Sequence, residues 1–362
     1  MLVLGIESSC DETGLALVED GVLRDSVLAS QADVHALFGG VVPELASREH
    51  LRFMSPLYDA LMSRQGLKLQ DLDAVAVARG PGLLGCLLVG MAYAKGLCLA
   101  GDLPLLGVNH LLAHLLVAGL EQEIAYPALG LLVSGGHTNI YHFSGPVSAV
   151  QLGRTLDDAA GEAFDKCGKV LGLAYPGGKL LDALARKGKA DKKLFPRPYL
   201  DNDNLDFSFS GLKTALALSA KDLLSDVSWP RPLQNVEDAP AELCDLSASF
   251  NLAVVETLCS KTARPLKRHP DVKTVITAGG VAANSLLREH MHRLCEEFGV
   301  QLCMPMPSRC TDNAVMIAYA GWLQAREGHV HDLALEAVPR GRALPEDWHL
   351  DAALKSSACG LS

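Results

Sequence analysis

Residues 2–7 form an unbroken aliphatic run that ends in a carboxylate, short enough for a strand buried on both faces. A polar turn over 8–13 separates it from a second run at 14–18, and 22–28 predicts a third strand. Leu45, Leu51, Met54, Leu57 and Leu61 recur at helical spacing, which predicts a helix over 43–62 behind the Gly39-Gly40 turn, with Pro43 near its start. A strand over 74–78 is broken by Gly80-Pro81-Gly82, and a helix of small residues follows over 84–99. The strand over 105–108 runs straight into Asn109 and His110. This alternation predicts an α/β fold, with helices packed on a mixed sheet.

Near Ala128 the pattern restarts. A strand over 128–133, a tight polar turn (Ser134-Gly135-Gly136-His137-Thr138) and a returning strand over 139–143 repeat the opening of the chain. Two such openings suggest two similar lobes, each offering a turn to one ligand, although any α/β chain can contain two hairpins. Beyond them, 157–225 reads as mostly helical and polar, with a lysine-rich stretch over 186–193. A long helix is expected over 241–266, a strand over 272–277 before Ala278-Gly279-Gly280, a helix over 284–298, a strand over 300–303 and a helix over 312–325. The tail beyond Pro339 is irregular.

At 362 residues, two lobes are expected rather than one core. Aromatics make up only 5%, so the cores should be aliphatic. The first residues lack a basic segment and meet polar, acidic positions early, unlike a signal peptide. The longest apolar stretch, 83–99, is interrupted by Gly85, Gly90, Lys95 and Gly96, which argues against a membrane span and for a soluble, cytoplasmic protein. The 10 cysteines are scattered without a C-x-x-C pair and read as reduced thiols, mainly in the core. A formal charge of −10 argues against a surface made wholly for nucleic acid, leaving a local patch or a partner subunit.

Candidate chemistry begins with His110 and His114, whose spacing places both rings on one helical face about 6 Å apart. They could share an ion or be ordinary helix residues. The intervening Leu111, Leu112 and Ala113 supply no glutamate, so the H-E-x-x-H peptidase pattern is missing its base. Cys310-Thr311-Asp312-Asn313 offers a carboxylate as a third ligand, yet Thr311 or Asp312 is also a good helix cap. Two histidines and an aspartate would suit Fe(II) or Zn(II). Glycine turns at 80–85, 134–136, 177–178 and 279–280 together point to a nucleotide site, with no P-loop present. Asp11 and Glu12 lie on the first turn, where they could orient an attacking group or merely form the turn. Lys213, Arg288, Arg309 and Arg340 could meet RNA or simply solvent.

In order along the chain stand ESSCDET, GGVVPELASREH, ARGPG, NHLLAH, LLVSGGHT, DDAAGEAFDK, YPGG, FSFSGLKTA, GGVAAN and CTDNA. With these motifs the sequence closely resembles, over about residues 2–326, the TsaD family of bacterial tRNA adenosine threonylcarbamoyltransferases, formerly described as O-sialoglycoprotein endopeptidases. The resemblance implies a two-lobed actin/sugar-kinase/Hsp70-like fold with mixed sheets, flanking helices and a nucleotide in the cleft. The lobes would be 1–125 and 126–339, the second with a helical insertion at about 157–225, followed by a tail over 340–362. It implies one divalent metal, with Fe(2+) favoured and Zn(2+) as the alternative, on His110, His114 and Asp312. Nucleotide contacts would fall on Leu132, Val133, Ser134, Gly135, Gly136, Asp165, Gly178 and Asn284, with Asp182 a weaker match. Asp11, Glu12 and His137 match positions close to the reacting phosphate or acyl group and are the candidate catalytic residues.

The implied reaction transfers the threonylcarbamoyl group of threonylcarbamoyl-AMP to the exocyclic amine of adenosine 37, in tRNAs reading codons that begin with A, and releases AMP. The implied partners are tRNA, a paralogous inactive subunit (TsaB) docking on helices such as 43–62, and a small ATPase (TsaE), with no membrane. Two alternatives are an ATPase or phosphotransferase of the same fold and a non-catalytic nucleotide-binding scaffold.

Overall fold

A computed structural model describes residues 1–38 and 40–341. The chain divides into two compact units: Met1–Glu123 with Gly145–Ala149 and the described residues from Thr311, and Ile124–Ser144 with Val150–Cys310.

In the first unit, β1 (Leu2–Glu7) pairs antiparallel with β2 (Glu12–Glu19), which pairs with β3 (Val22–Ser30). After the short α1 (Ala32–Ala36), the long α2 (Pro43–Gln65) leads to β4 (Ala74–Gly80), parallel to β1. Helix α3 (Leu84–Gly101) then crosses to β5 (Leu105–Asn109), parallel to β4, and α4 (His110–Leu116) follows at once. The sheet order is β3-β2-β1-β4-β5. β1 and β4 are wholly buried, as their uninterrupted apolar runs require, whereas β3 alternates toward solvent as an edge strand does.

The second unit opens with β6 (Ala128–Val133), antiparallel to β7 (Thr138–Gly145), and then β8 (Ser148–Arg154). Helices α5 (Ala160–Val170), α6 (Gly177–Ala185), α7 (Ser210–Leu223) and the mostly buried α8 (Ala241–Arg268) precede β9 (Thr274–Ala278), α9 (Ser285–Phe298) and β10 (Gln301–Cys303). β9 is parallel to β6 and β10 to β9, giving the order β10-β9-β6-β7-β8. Both units therefore build one five-stranded pattern, three consecutive strands in a row that begins with an antiparallel hairpin, extended beyond the first strand by two parallel strands. The repeat suggested by the two strand–turn–strand openings extends to whole sheets.

Back in the first unit, α10 (Ala314–Arg326) packs on β1, β2 and β4. Its approach to β1 is close: a methyl group added at Gly5 would lie 2.6 Å from Ala318 Cα, so only glycine fits there. The core beneath α2 and α3 is aliphatic, with Leu4, Ile6, Leu15, Leu17, Met54, Leu61, Val75, Val77 and Met91.

Three expectations need revision. Helix α3 is 18 residues long and apolar enough, by length and composition alone, to cross a membrane, despite its glycines and Lys95. Its buried residues, including Leu87, Met91, Ala94 and Cys98, face β4 and the neighbouring α2. Residues 157–225 are not continuously helical, because 186–209 contain no helix. Pro196 and Pro198 interrupt helical hydrogen bonding there, and α8 holds the run instead. Lys261 Nζ donates to Asn202 Oδ1 (3.0 Å) and Asn204 O (2.9 Å), and Arg264 Nη2 donates to Leu200 O (2.7 Å). The polar segments forming α1 and β8 were not anticipated as elements. The described cysteines are all free thiols. Gly39, Cys359 and the tail from residue 342 lie outside the described residues.

Candidate metal centre and nucleotide-binding turns

Strand β5 hands its chain to α4 through Asn109, whose Oδ1 accepts from Leu111 N (2.9 Å) and Leu112 N (3.3 Å). This cap starts the helix at His110 and stacks His114 one turn further on. The two rings meet edge to face with centroids 4.8 Å apart. The opposing carboxylate arrives on the segment before α10. Asn313 caps that helix, its Oδ1 accepting from Met316 N (3.1 Å), so neither Thr311 nor Asp312 does. Asp312 Oδ1 instead lies 3.0 Å from His114 Nε2 and 3.5 Å from His110 Nε2.

One ligand atom from each of His110, His114 and Asp312 lies within 4.8 Å of the others, a spacing compatible with a single ion. Both imidazoles are buried, and His114 Nδ1 has no hydrogen-bond partner among the described residues. Burial opposes a charge on His110, but Glu7 and Asp312 outweigh it and push the ring up to about 10. Burial likewise opposes ionisation of Asp312, and the two imidazoles overcome it, holding the carboxyl well below its ordinary range. The site thus attracts positive charge. Two imidazoles and one carboxylate fit a divalent transition metal and leave coordination positions for other ligands.

Glu7, Asp11 and Glu12 belong to the β1–β2 turn and its flanks. Glu12 is half-buried, and its Oε2 has no hydrogen-bond partner among the described residues. Burial, then Asp312, Asp11 and Glu7, raise its carboxyl to about 7. The turn is pinned by His50 of α2: Nε2 donates to Cys10 O (2.9 Å), and Nδ1 accepts from Thr13 Oγ1 (2.7 Å). Burial holds His50 below its usual value, in keeping with a neutral ring making these two bonds. Neither Glu7 nor His50 was among the candidates. The signals were a carboxylate ending an apolar strand and a histidine in the buried stripe of Ala46, Met54 and Leu61.

The other candidates lie in the second unit. Leu132 and Val133 end β6 with their side chains buried, so only their backbone is left to offer a ligand. The turn closes with Ser134 N donating to His137 O (2.8 Å) and His137 N donating to Ser134 Oγ (3.1 Å). Gly135 at its tip is exposed, and a methyl group added there would meet nothing within 4 Å. Gly279, at φ 95°, crosses so close behind that a methyl there would lie 2.5 Å from Val133 O. Gly161 N, in the first turn of α5, donates to Ser134 O (3.3 Å). On the same helix, Asp165 Oδ1 accepts from Gly177 N (3.0 Å) and Gly178 N (3.4 Å), while burial raises its carboxyl. Asp182 Oδ1 accepts from Ser285 N (3.2 Å) and Ser285 Oγ (2.9 Å). The Asn284 side chain caps α9 at Leu287 N (3.0 Å) and donates to Asn251 Oδ1 (2.9 Å). The structure therefore joins Ser134 to α5, Asp165 to Gly178, and Asp182 to the residue after Asn284.

A repeated mixed sheet with flanking helices is the architecture of the actin/sugar-kinase/Hsp70 class. The crystal structure of T. kodakarensis HypF shares the fold, with a TM-score of 0.60 at 16% identity, over 96% of this chain and 49% of that one. The family model described as TsaD, tRNA N6-adenosine threonylcarbamoyltransferase, matches residues 22–319. A protein of that name from Desulfovibrio desulfuricans is 65% identical over 347 residues, 96% of each chain. Another from Nitratidesulfovibrio vulgaris is 62% identical over 353 residues, 96% of this chain and 98% of the relative. The chain belongs to the tRNA N6-adenosine threonylcarbamoyltransferase family and is an acyltransferase. This membership does not favour the phosphotransferase and scaffold alternatives.

Proposed function

We propose that the chain transfers the threonylcarbamoyl group of threonylcarbamoyl-AMP to the exocyclic amine of adenosine 37 in tRNAs reading codons that begin with A. The amine nitrogen forms a bond to the carbamoyl carbonyl carbon, the bond from that carbon to the phosphate oxygen breaks, and AMP leaves. The observation carrying this reading is the convergence of His110, His114 and Asp312 in a chain of this family.

A divalent ion on that triad, Fe(2+) in our reading with Zn(2+) second, supplies Lewis acidity and a template for the acyl oxygens when bound. The chain's own groups do the rest. Glu12, half-buried with an Oε2 that has no hydrogen-bond partner among the described residues, is suited to accept the amine proton, and Asp11 to orient the attacking group. The Ser134 hydroxyl and the backbone N–H groups of Gly135 and Gly136, with His137 beside them, face the leaving phosphate and its developing charge. Asp165 orders Gly177 and Gly178 for the adenylate. Leu132, Val133, Asp182 and Asn284 frame the same nucleotide site.

A TsaB-like subunit is proposed to cover the first unit. The exposed Leu51 on α2 and Leu84, Leu88 and Leu99 on α3 support this placement. A TsaE-like ATPase completes the set. The net charge of −10 favours partners that help to place tRNA, and a reaction on tRNA supports a cytoplasmic location.

The test incubates the chain with Fe(2+) or Zn(2+), threonylcarbamoyl-AMP, unmodified tRNA and the partner proteins, followed by mass analysis of the digested nucleosides. Threonylcarbamoyladenosine should form and AMP should accumulate in step with it. ATP consumption without tRNA, and no modified nucleoside, would favour a phosphotransferase.

A further inference from the structure

Glu7 is the one polar residue of β1, and it is fully buried. An ionised carboxylate in such a place costs several kcal/mol unless each oxygen finds a donor. Both do. Oε1 accepts from Ser9 N at 2.6 Å, and Oε2 lies 3.0 Å from His110 Nδ1. The Ser9 hydroxyl lies 3.2 Å from the same ring nitrogen.

A carboxylate only accepts, so Nδ1 carries a proton toward Glu7, and Nε2 is the nitrogen left to give up its proton to a metal ion. That Nε2 is the atom facing Asp312, at 3.5 Å. His114 lacks such a brace, since its Nδ1 has no hydrogen-bond partner among the described residues. Of the two imidazoles, one is fixed in tautomer and angle by a buried anion, and the other is held by packing.

We infer that Glu7 is a positioning residue for the metal centre, its carboxylate locking His110 in the tautomer that presents Nε2 to the ion. The inference rests on the metal reading given above. It also explains why a glutamate ends an otherwise apolar strand. Ser9 N and His110 Nδ1 address different oxygens of Glu7, and glutamine replaces one of those two acceptors with an NH2 group. Its amide must leave one donor unmet or turn its own N–H toward the ring, which favours the wrong tautomer.

The experiment compares wild type with Glu7→Gln, using Co(2+) as a visible probe and a competing chelator to measure affinity. Folding is checked by thermal melting. Removing such a bracing partner typically costs about 10–100-fold in metal affinity. A loss in that range, with an altered Co(2+) absorption spectrum, is expected.

A second measurement needs no variant. Wild type labelled with 15N-histidine and loaded with Zn(2+) should show His110 protonated at Nδ1 and shifted at Nε2. If Glu7→Gln fails to fold, this spectrum decides alone. Unchanged affinity and spectrum in a folded Glu7→Gln protein would overturn the inference while leaving the metal centre standing, and so would a metal-bound Nδ1 on His110. If folded wild type takes up neither Co(2+) nor Zn(2+), the metal reading itself fails and the inference falls with it.

Discussion

Gly5 of β1 and Ala318 of α10 are in backbone contact, close enough that a methyl group on Gly5 would sit 2.6 Å from Ala318 Cα. The contact fixes how α10 lies on the sheet. Asp312, two residues before that helix, inherits its position from it. Gly5→Ala should therefore act in two places. Overpacking of this kind costs about 1–3 kcal/mol, readable as a lower Tm. Metal affinity should fall with it, although no ligand has changed. A variant that melts early but binds Co(2+) normally would disconnect the packing from the site.

Removing a ligand should be more severe than disturbing its support. Asp312→Asn keeps the shape and removes the charge that faces both imidazoles. Metal affinity should drop by more than the roughly 100-fold upper end for a lost bracing partner. Transfer to tRNA should drop in parallel. Equilibrium dialysis and nucleoside analysis on one preparation would check both.

The metal-free protein should carry a pH signature from Glu12. Its carboxyl lies at about 7 in the fold against an ordinary 4.5, so the folded state binds more protons between those values. Its contribution to stability is fully present below 4.5 and is lost as pH rises through 7. Glu12→Gln should match wild type in Tm at low pH and exceed it at pH 8. A pH-independent gap between the two would falsify the assignment.

In the second unit, Asp165→Ala removes the acceptor for Gly177 N and Gly178 N. The loosened turn should bind AMP about tenfold more weakly, equivalent to about 1.4 kcal/mol. Calorimetry with AMP on wild type and variant would measure it. Metal uptake in the same variant should be unaltered.

Much of the fold was legible because its signals are local. The apolar runs of β1, β4 and β6 marked central strands, and the spacing of His110 and His114 marked one helical face. What escaped depended on distant neighbours. Asp312 by spacing alone looks like a helix cap and entered the ligand set only through the family resemblance, whereas the structure shows Asn313 in the capping role. His50 reads as an ordinary helix residue until Cys10 and Thr13 are placed against it. The run over 186–209 takes its shape from Lys261 and Arg264, more than fifty residues later in the chain. No window around Asn202 contains them.

The repeated sheet has a consequence for how the enzyme can evolve. One hairpin plan occurs twice, with acids at its first bend (Asp11 and Glu12) and hydroxyl and amide donors at its second (Ser134 to Gly136). Identical scaffolding thus carries opposite polarity. Each bend can drift without rebuilding its sheet, so selection can retune the acidic bend and the donor-lined bend as separate traits.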